Sequence, residues 1–406
     1  MSKVYVPREI EPLLKKYLST PEILIVLGPR QSGKSTLLRH IAADLQDSSF
    51  ISFEDVDILA LFEADIKGFY KLHVEPFRYV IIDEIQYAAN FGRNMKYLYD
   101  QANGQVKFLV TGSSVTEFYL QGLKFLVGRA LTFHLYPFSF KEFLWYRNKD
   151  LIPLVGREAL QSRIQKYLTE FVLYGGYPRV VLSEDVQEKK LILKNLYNLL
   201  IQREIVSLAG LLNHQKVIKL IRLLTVHSGS LLNFSTLSKE IGLTIEEVKR
   251  LLFLFRSTFV VETVEPFFTN KKLEIIKNPK LYFLDNGLYN AILNNFSELR
   301  PDMGVLYEAF VFQELLKQDL SVNFWRTKAK TKVDFVLQTD GRLIPIEVKM
   351  RDASLTRSFR SFLQRYHPAE GYLFNLSEHS ELQVETSRVY KRFLPEIIHF
   401  KEIAAI

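Results

Sequence analysis

EILIVLGPRQSGKST, residues Glu22 to Thr36, decides how the first third of the chain is read. Glu22 to Leu27 is a short apolar run of the kind a buried parallel strand shows. It opens directly onto Gly28, Pro29, Arg30, Gln31, Ser32, Gly33, Lys34, Ser35 and Thr36, after which Leu37, Leu38, Ile41 and Leu45 recur on one helical face. A G-x-x-x-x-G-K-[ST] turn between strand and helix is expected to cradle a phosphate chain. Gly28 and Gly33 let backbone N–H groups curl round it, Lys34 adds a point charge toward the outer phosphates, and the Ser35 hydroxyl is offered to Mg²⁺. The implied ligands are ATP and Mg²⁺. The competing reading, a chance match in a glycine-containing turn, lacks a reason for strand and helix to stand on either side.

The chain has 406 residues, too many for one ordinary core and suited to two to four domains. Hydrophobic residues make up 48% and charged residues 24%, the balance of a soluble globular protein. No stretch approaches the roughly eighteen consecutive apolar residues of a membrane span. Met1 to Glu11 lacks the apolar core of a signal peptide, so the expected compartment is the cytoplasm, without membrane contact. With no cysteine, disulfides and thiolate metal sites are excluded. The eight histidines show no metal-ligand spacing. Net charge is +8, and +6 of it falls between Ser321 and Tyr366, where ten basic residues face four acidic ones. A local field of that sign suits a polyanion such as DNA, or is simply a solvated lysine-rich surface.

A phosphate-binding turn needs an acidic partner at the end of a neighbouring strand. Arg78 to Asp83 reads RYVIID and is followed by Glu84. Asp83 is placed to hold the Mg²⁺ shell and Glu84 to orient and deprotonate an attacking water. Val106 to Thr111 is a further strand, ending in Gly112, Ser113 and Ser114. Ser113, with Thr111 second, is the candidate to sense the terminal phosphate, against the alternative of a small-residue turn. Arg129 precedes a strand from Ala130 to Leu135. It either reaches a nucleotide held by a neighbouring copy in a homo-oligomeric ring or is a surface arginine. Ser49 to Phe53 supplies a fifth strand.

An extra strand between the phosphate loop and the Asp-Glu pair, followed by a polar strand end, resembles the AAA+ class of ATPases. LYPFSFKEFL, Leu135 to Leu144, is similar to the L-x-P-L-S-F-x-E-F stretch of one prokaryotic AAA+ family whose C-terminal domain has no assigned function. The turn Gly175, Gly176, Tyr177, Pro178 resembles the G-G-[FY]-P of that family. Leu281 to Leu288 resembles its Y-x-x-D-x-G-L segment, and Gly304 to Val311 its G-x-x-x-E-x-x-V helix. The resemblance runs from Gly28 to Lys349.

Between these motifs the pattern is helical from Arg157 to about Gln215, the place of an AAA+ lid; the resemblance marks Gln202, Arg203 and Glu204 as a recurring segment. Phe234 to Phe255 reads as a helix-turn-helix, with a break at Gly242 and a capping box from Thr244 to Glu247. Phe259–Val264 and Lys271–Ile276 are candidate wing strands. Lys249, Arg250 and Arg256 would meet a DNA groove, but Glu246 and Glu247 would meet its phosphates badly, which leaves a structural or protein-contact winged helix as the alternative.

Past an amphipathic helix with Glu308 and Glu314, Lys332 to Leu337 and Leu343 to Lys349 read as a hairpin about Asp340 and Gly341. Glu347 and Lys349 share one strand face, and Asp334 can lie across from them. Two carboxylates and a lysine on a sheet suit metal-dependent phosphodiester cleavage. The arrangement resembles the PD-(D/E)xK nuclease fold, which makes Asp334, Glu347 and Lys349 its core and Glu308 the helix acid, with Glu308, Asp334 and Glu347 as metal ligands. The family pattern Glu-Val-Asp-Phe is met here by Lys332, Val333, Asp334 and Phe335, a departure that adds positive charge. A salt-bridged strand pair, or a nuclease-like fold without activity, is the alternative.

The expected architecture is α/β in four parts: an AAA+ P-loop core over residues 1–147, a helical lid over 148–215, a winged helix over 216–300 and a restriction-endonuclease-like α/β domain over 301–406. Three functions compete: an ATPase coupled to DNA binding or processing, a nucleotide switch that recruits protein partners through an inert nuclease-like fold, and a regulatory DNA binder.

Overall fold

Short apolar runs that each end at a polar residue form the first sheet, seen here in a computed structural model that describes residues 4–113, 122–205, 214–268, 278–327, 331–339, 341–350 and 353–406. β1 (Ile23–Leu27), β2 (Ser48–Ser52), β3 (Tyr79–Asp83), β4 (Lys107–Gly112) and β5 (Ala130–His134) are all parallel, in the order β2-β3-β4-β1-β5. β1 is buried at every residue because β4 and β5 flank it on both sides. The helix Lys34–Ala43 follows at once and lays Leu37, Leu38 and Ile41 on Leu24, Val26, Ile81 and Leu109. Parallel strands place every strand–helix turn at one edge of the sheet, where α/β proteins bind ligands.

The chain divides into two compact units, Met1–Pro137 with Ser257–Phe259, and Phe138–Arg256 with Val260–Ile406. The division at Pro137 comes ten residues before the expected boundary at 147, and the reason lies in the Phe-Ser-Phe segment. Ser139 caps the helix Phe140–Asn148 in a reciprocal box with Glu142. The backbone N–H of Phe140 donates to both oxygens of Glu314 at 3.2 Å. The Phe140 ring lies 5.4 Å from Phe171 and 5.7 Å from Phe310, which commits this helix to the second unit.

Within the second unit the family-like motifs fasten one another. Gly175 ends the helix Gln161–Tyr174 at φ +74°, and a Cβ there would come within 2.2 Å of Asp285 Oδ1. Asp285 accepts the N–H groups of Gly176 at 2.7 Å and Leu288 at 2.9 Å, so one buried carboxylate joins the Gly-Gly turn to the Asp-x-Gly segment. Phe234–Ile241 and Ile245–Ser257 form a helix pair about Gly242, at φ +72°, with the Thr244–Glu247 box in place. β6 (Val261–Val264) pairs antiparallel with β7 (Lys280–Phe283). The candidate wing strand Lys271–Ile276 lies outside the described residues.

The C-terminal part is a six-stranded sheet in the order β12-β13-β11-β10-β9-β8, with β8 (Val322–Arg326), β9 (Lys332–Thr339), β10 (Arg342–Val348), β11 (Glu370–Asn375), β12 (Ser380–Val384) and β13 (Ser387–Phe393). β8, β9 and β10 are antiparallel; β10, β11 and β13 are parallel. Gly341 turns the β9–β10 hairpin at φ +75°, while its neighbour Asp340 lies outside the described residues. The helix Arg357–Tyr366 makes the β10-to-β11 crossover and packs Phe359, Phe362 and Leu363 on Trp325, Val333, Val336 and Val389. Among the described residues no helix is long and apolar enough to cross a membrane.

Glu314 is buried at 2% exposure, beside Lys317 at 3.1 Å as well as the Phe140 amide. Removing one partner of such a pair leaves an uncompensated buried charge. Glu314→Ala is therefore expected to destabilise the second unit by about 3 kcal/mol, read as an earlier thermal transition. An unchanged melting curve would refute the assigned role.

Candidate functional site

Three strand ends of the first unit converge. After β1 the chain turns through Gly28, whose close approach to the Leu135 carbonyl leaves no room for a Cβ (2.1 Å), and through Gly33 at φ +97°. Gly33 is the N-cap of Lys34–Ala43 and brings no side chain to cap that helix, the kind of terminus that receives a phosphate. Lys34 is buried, and its ammonium donates to the carbonyls of Gly28 and Pro29, both at 2.9 Å. Arg8 clamps the loop from outside, giving one hydrogen bond to Ser32 O (2.8 Å) and one to Tyr136 O (2.7 Å). Gln31 and Thr36 are exposed, Arg30 is half-buried and Pro29 is buried.

β3 delivers Asp83, 4% exposed, to the same edge. Ser35 Oγ donates to Asp83 Oδ1 at 3.0 Å, and Thr111 Oγ1 at the end of β4 donates to the same oxygen. Thr111 also accepts the Glu84 N–H at 3.1 Å. Glu84 stands at φ +56°, a left-handed backbone that a non-glycine residue holds only when its surroundings fix it. The side-chain amide of Gln86 donates to Glu84 Oε2 and its oxygen accepts the Ser113 N–H at 3.2 Å. Glu84 is thus linked to the end of β4 through Gln86.

The residues present fit a magnesium nucleotide. Ser32 Oγ and Ser113 Oγ are buried hydroxyls without a hydrogen-bond partner, one in the loop and one at the strand end beside it. Buried polar atoms of this kind ask for a ligand or water. Ser35 and Asp83 already share an oxygen contact of the sort a hydrated Mg²⁺ bridges.

Arg129 stands elsewhere. It precedes β5 and accepts the Ile23 N–H with its carbonyl, so it sits where the parallel strands begin, at the opposite edge from the loop. Its Nε donates to Asp100 at 3.0 Å. It takes no part in the site of its own chain, which leaves the two readings of a role toward a second copy or a surface arginine.

In the second unit the hairpin brings Asp334, Glu347 and Lys349 together, and Glu308 joins them from the helix Met303–Lys317. Each acid is met by a lysine. Lys349 Nζ lies 2.9 Å from Glu347 Oε1, Lys332 Nζ lies 3.1 Å from Asp334 Oδ1 and 3.6 Å from Glu308 Oε2, and Lys280 Nζ lies 2.8 Å from Glu308 Oε1. Against the expected set of Glu308, Asp334 and Glu347 as metal ligands, no group of three or more His, Asp or Glu among the described residues is arranged to hold a metal. Burial pushes the Glu308 carboxyl up, but the charges of Lys280 and Lys332, with hydrogen bonds from Lys280 and Tyr282, outweigh it and hold the carboxyl at about 2. The Glu308 charge in turn raises Lys332 above the usual lysine range, against burial and with help from Asp334. Burial and the adjacent Asp334 raise Glu347, opposed by Lys349 and Thr356.

Sequence reasoning missed Arg8, Gln86, Lys280, Tyr282 and Thr356. Lys280 and Tyr282 carry one legible signal: they are two apart on a strand, hence on one face. The helix-pair cations behave differently from one another. Lys249 and Arg250 are exposed, whereas Arg256 is paired with Glu262 at 2.6 Å.

Residues 20–144, which span β1 to β5, match the family described as AAA domain. Residues 165–299 and 303–391 each match a domain of unknown function (DUF8612 and DUF4143). The chain is similar to an uncharacterized protein of Haemophilus influenzae, 26% identical over 369 residues, covering 86% of this chain and 88% of that protein. It is also similar to one of Methanocaldococcus jannaschii, 26% identical over 355 residues, covering 84% and 78%. Among solved structures it is similar to the Walker-type ATPase of Pyrococcus abyssi, with 16% identity, a TM-score of 0.48, and coverage of 71% of this chain and 96% of that one.

A carboxyl held at about 2 instead of 4.5 contributes stability that is complete above 4.5 and is lost as pH falls toward 2. The melting temperature of Glu308→Gln should therefore lie below that of the parent at pH 7, with the gap closing as pH drops from 5 toward 3. A gap of constant size across that window would show that the Glu308 charge does not stabilise the fold.

Proposed function

We propose that this chain is a Mg²⁺-dependent nucleoside triphosphatase acting on ATP, and that its second unit contacts nucleic acid. The observation that carries the catalytic reading is the junction of Lys34, Ser35, Asp83, Thr111 and Glu84 at the ends of β1, β3 and β4. The amides that begin the helix Lys34–Ala43 receive the phosphate chain, with the helix dipole behind them. Lys34 exchanges its two carbonyl partners for phosphate oxygens. Ser35 and Asp83 would hold the Mg²⁺, which would supply positive charge against the charge that gathers as the terminal phosphoryl leaves. Glu84 takes a proton from the attacking water at its carboxylate. Thr111 keeps Asp83 and Glu84 in register with each other, and the Ser113 hydroxyl is the polar group left to meet the terminal phosphate.

The nucleic-acid reading rests on the crossover helix of the second unit. Arg357 and Arg360 are three apart, so they lie on one face of Arg357–Tyr366, and both are exposed. Several other cations of the basic stretch are engaged within the fold: Lys332 and Lys349 by the acids above, Arg342 by Glu370 and the carbonyls of Ala404 and Ala405. Among the described residues, the crossover helix is therefore the part of that stretch suited to phosphate contact.

Lys34→Ala should abolish ATP binding in equilibrium dialysis. Glu84→Gln should keep binding while hydrolysis falls about 10²- to 10⁴-fold. Equal loss of binding and turnover in Glu84→Gln would deny that Glu84 is the base.

For DNA, the Arg357→Ala, Arg360→Ala double variant should lower the slope of log affinity against log salt by about 2. No salt-dependent binding by the parent would assign the second unit to protein partners instead.

A further inference from the structure

The fold resemblance of the second unit implies a divalent metal held by Glu308, Asp334 and Glu347, and the donor set does not fit one. Magnesium and calcium take six or more oxygens at about 2.0–2.6 Å, several of them carboxylates whose negative charge no other cation already neutralises. Here each of the six carboxylate oxygens is engaged by a donor of the chain itself. Glu308 Oε1 accepts from Lys280 and Tyr282, and Oε2 faces Lys332. Asp334 Oδ1 pairs with Lys332, and Oδ2 accepts the Val348 N–H at 3.1 Å, where the β9–β10 ladder ends. Glu347 Oε1 pairs with Lys349, and Oε2 accepts from Thr356 Oγ1 at 2.9 Å. The charges also balance, with three ammonium groups on three carboxylates. A dication brought among them would displace one lysine and face the other two.

We infer that the second unit holds no catalytic metal, because the Lys332 ammonium stands where the cation would be, bridging Asp334 and Glu308. The inference goes beyond the nucleotide reading and does not depend on it. It makes the C-terminal cluster a charge-locked junction between the helix Met303–Lys317, β7 and the β9–β10 hairpin. That junction grips the fold and leaves phosphodiester bonds uncut. Lys332 is the removable part of the lock: its side chain is 52% exposed, against 6% for Asp334 and 13% for Glu308. Taking its charge away leaves Asp334 without a counter-ion and Glu308 with Lys280 alone, without disturbing Lys280 or Lys349.

The test titrates Mn²⁺ alone, without nucleotide, into the full chain and counts bound metal by electron paramagnetic resonance. The parent and Asp334→Asn should titrate alike, since any Mn²⁺ taken by the phosphate loop is common to both. Lys332→Gln should gain one site per chain, at least about tenfold tighter than anything in the parent, and Lys332→Gln with Asp334→Asn should lose it. A parent site that Asp334→Asn weakens tenfold or more overturns the inference, as does a folded Lys332→Gln that gains nothing. If Lys332→Gln does not fold, Lys332→Met takes its place, and nicking of supercoiled DNA in Mn²⁺ by the parent beside Asp334→Asn decides without any Lys332 variant. Nicking that Asp334→Asn abolishes refutes the inference; equal absence or equal background in both upholds it.

Discussion

Because β1 runs between β4 and β5 and all five strands point one way, whatever follows β1, β3 and β4 in sequence arrives at the same edge of the sheet. The geometry of the nucleotide site follows from that. Lys34 and Ser35 come after β1, Asp83 and Glu84 end and follow β3, and Thr111 and Ser113 end and follow β4. No long side chain has to reach for another, so Ser35 and Thr111, both short, meet Asp83 directly. The same constraint removes Arg129 from the site, since it precedes β5 and a strand's length separates it from the loop.

What was legible in the sequence was whatever is local or periodic. The loop, its strand and its helix, the Asp-Glu pair after an apolar run, and the capping box at Thr244 each depend on residues a few positions apart. The hairpin strands that carry Asp334 and Glu347 are of the same kind. Arg8 and Gln86 leave no such trace. Arg8 acts on Ser32 and Tyr136, 24 and 128 positions away, through two carbonyls that any residue could supply. Gln86 matters only because β4 lies beside β3. The division at Pro137 rather than 147 has a related cause: Glu314, 174 positions on, takes the Phe140 amide, a contact no local pattern announces.

In the second unit the residue that sets the acids apart from a metal set is Lys280. It lies in a segment that reads as a hydrophobic strand, and it is 3% exposed. A buried ammonium is costly unless paired, so Lys280 requires Glu308, and Glu308 is thereby withdrawn from ligand duty. Lys332 then completes the balance from the solvent side. Neither lysine is informative alone. Together they turn a pattern that suits cleavage into one that suits cohesion.

The two centres differ in one physical property that separates a binding site from a brace. Around the phosphate loop the chain leaves groups unspent: the Ser32 and Ser113 hydroxyls are buried without partners among the described residues. Such groups carry a desolvation cost that folding alone does not return, and a ligand that meets them recovers it on binding. In the C-terminal cluster every carboxylate oxygen is met by a donor of the same chain, so the cost is recovered when the protein folds and little remains for a ligand to gain. A shared set of residue types does not decide between these two designs; the count of unmet donors and acceptors does. Between the two centres, it is the phosphate loop that keeps buried hydroxyls unmet among the described residues.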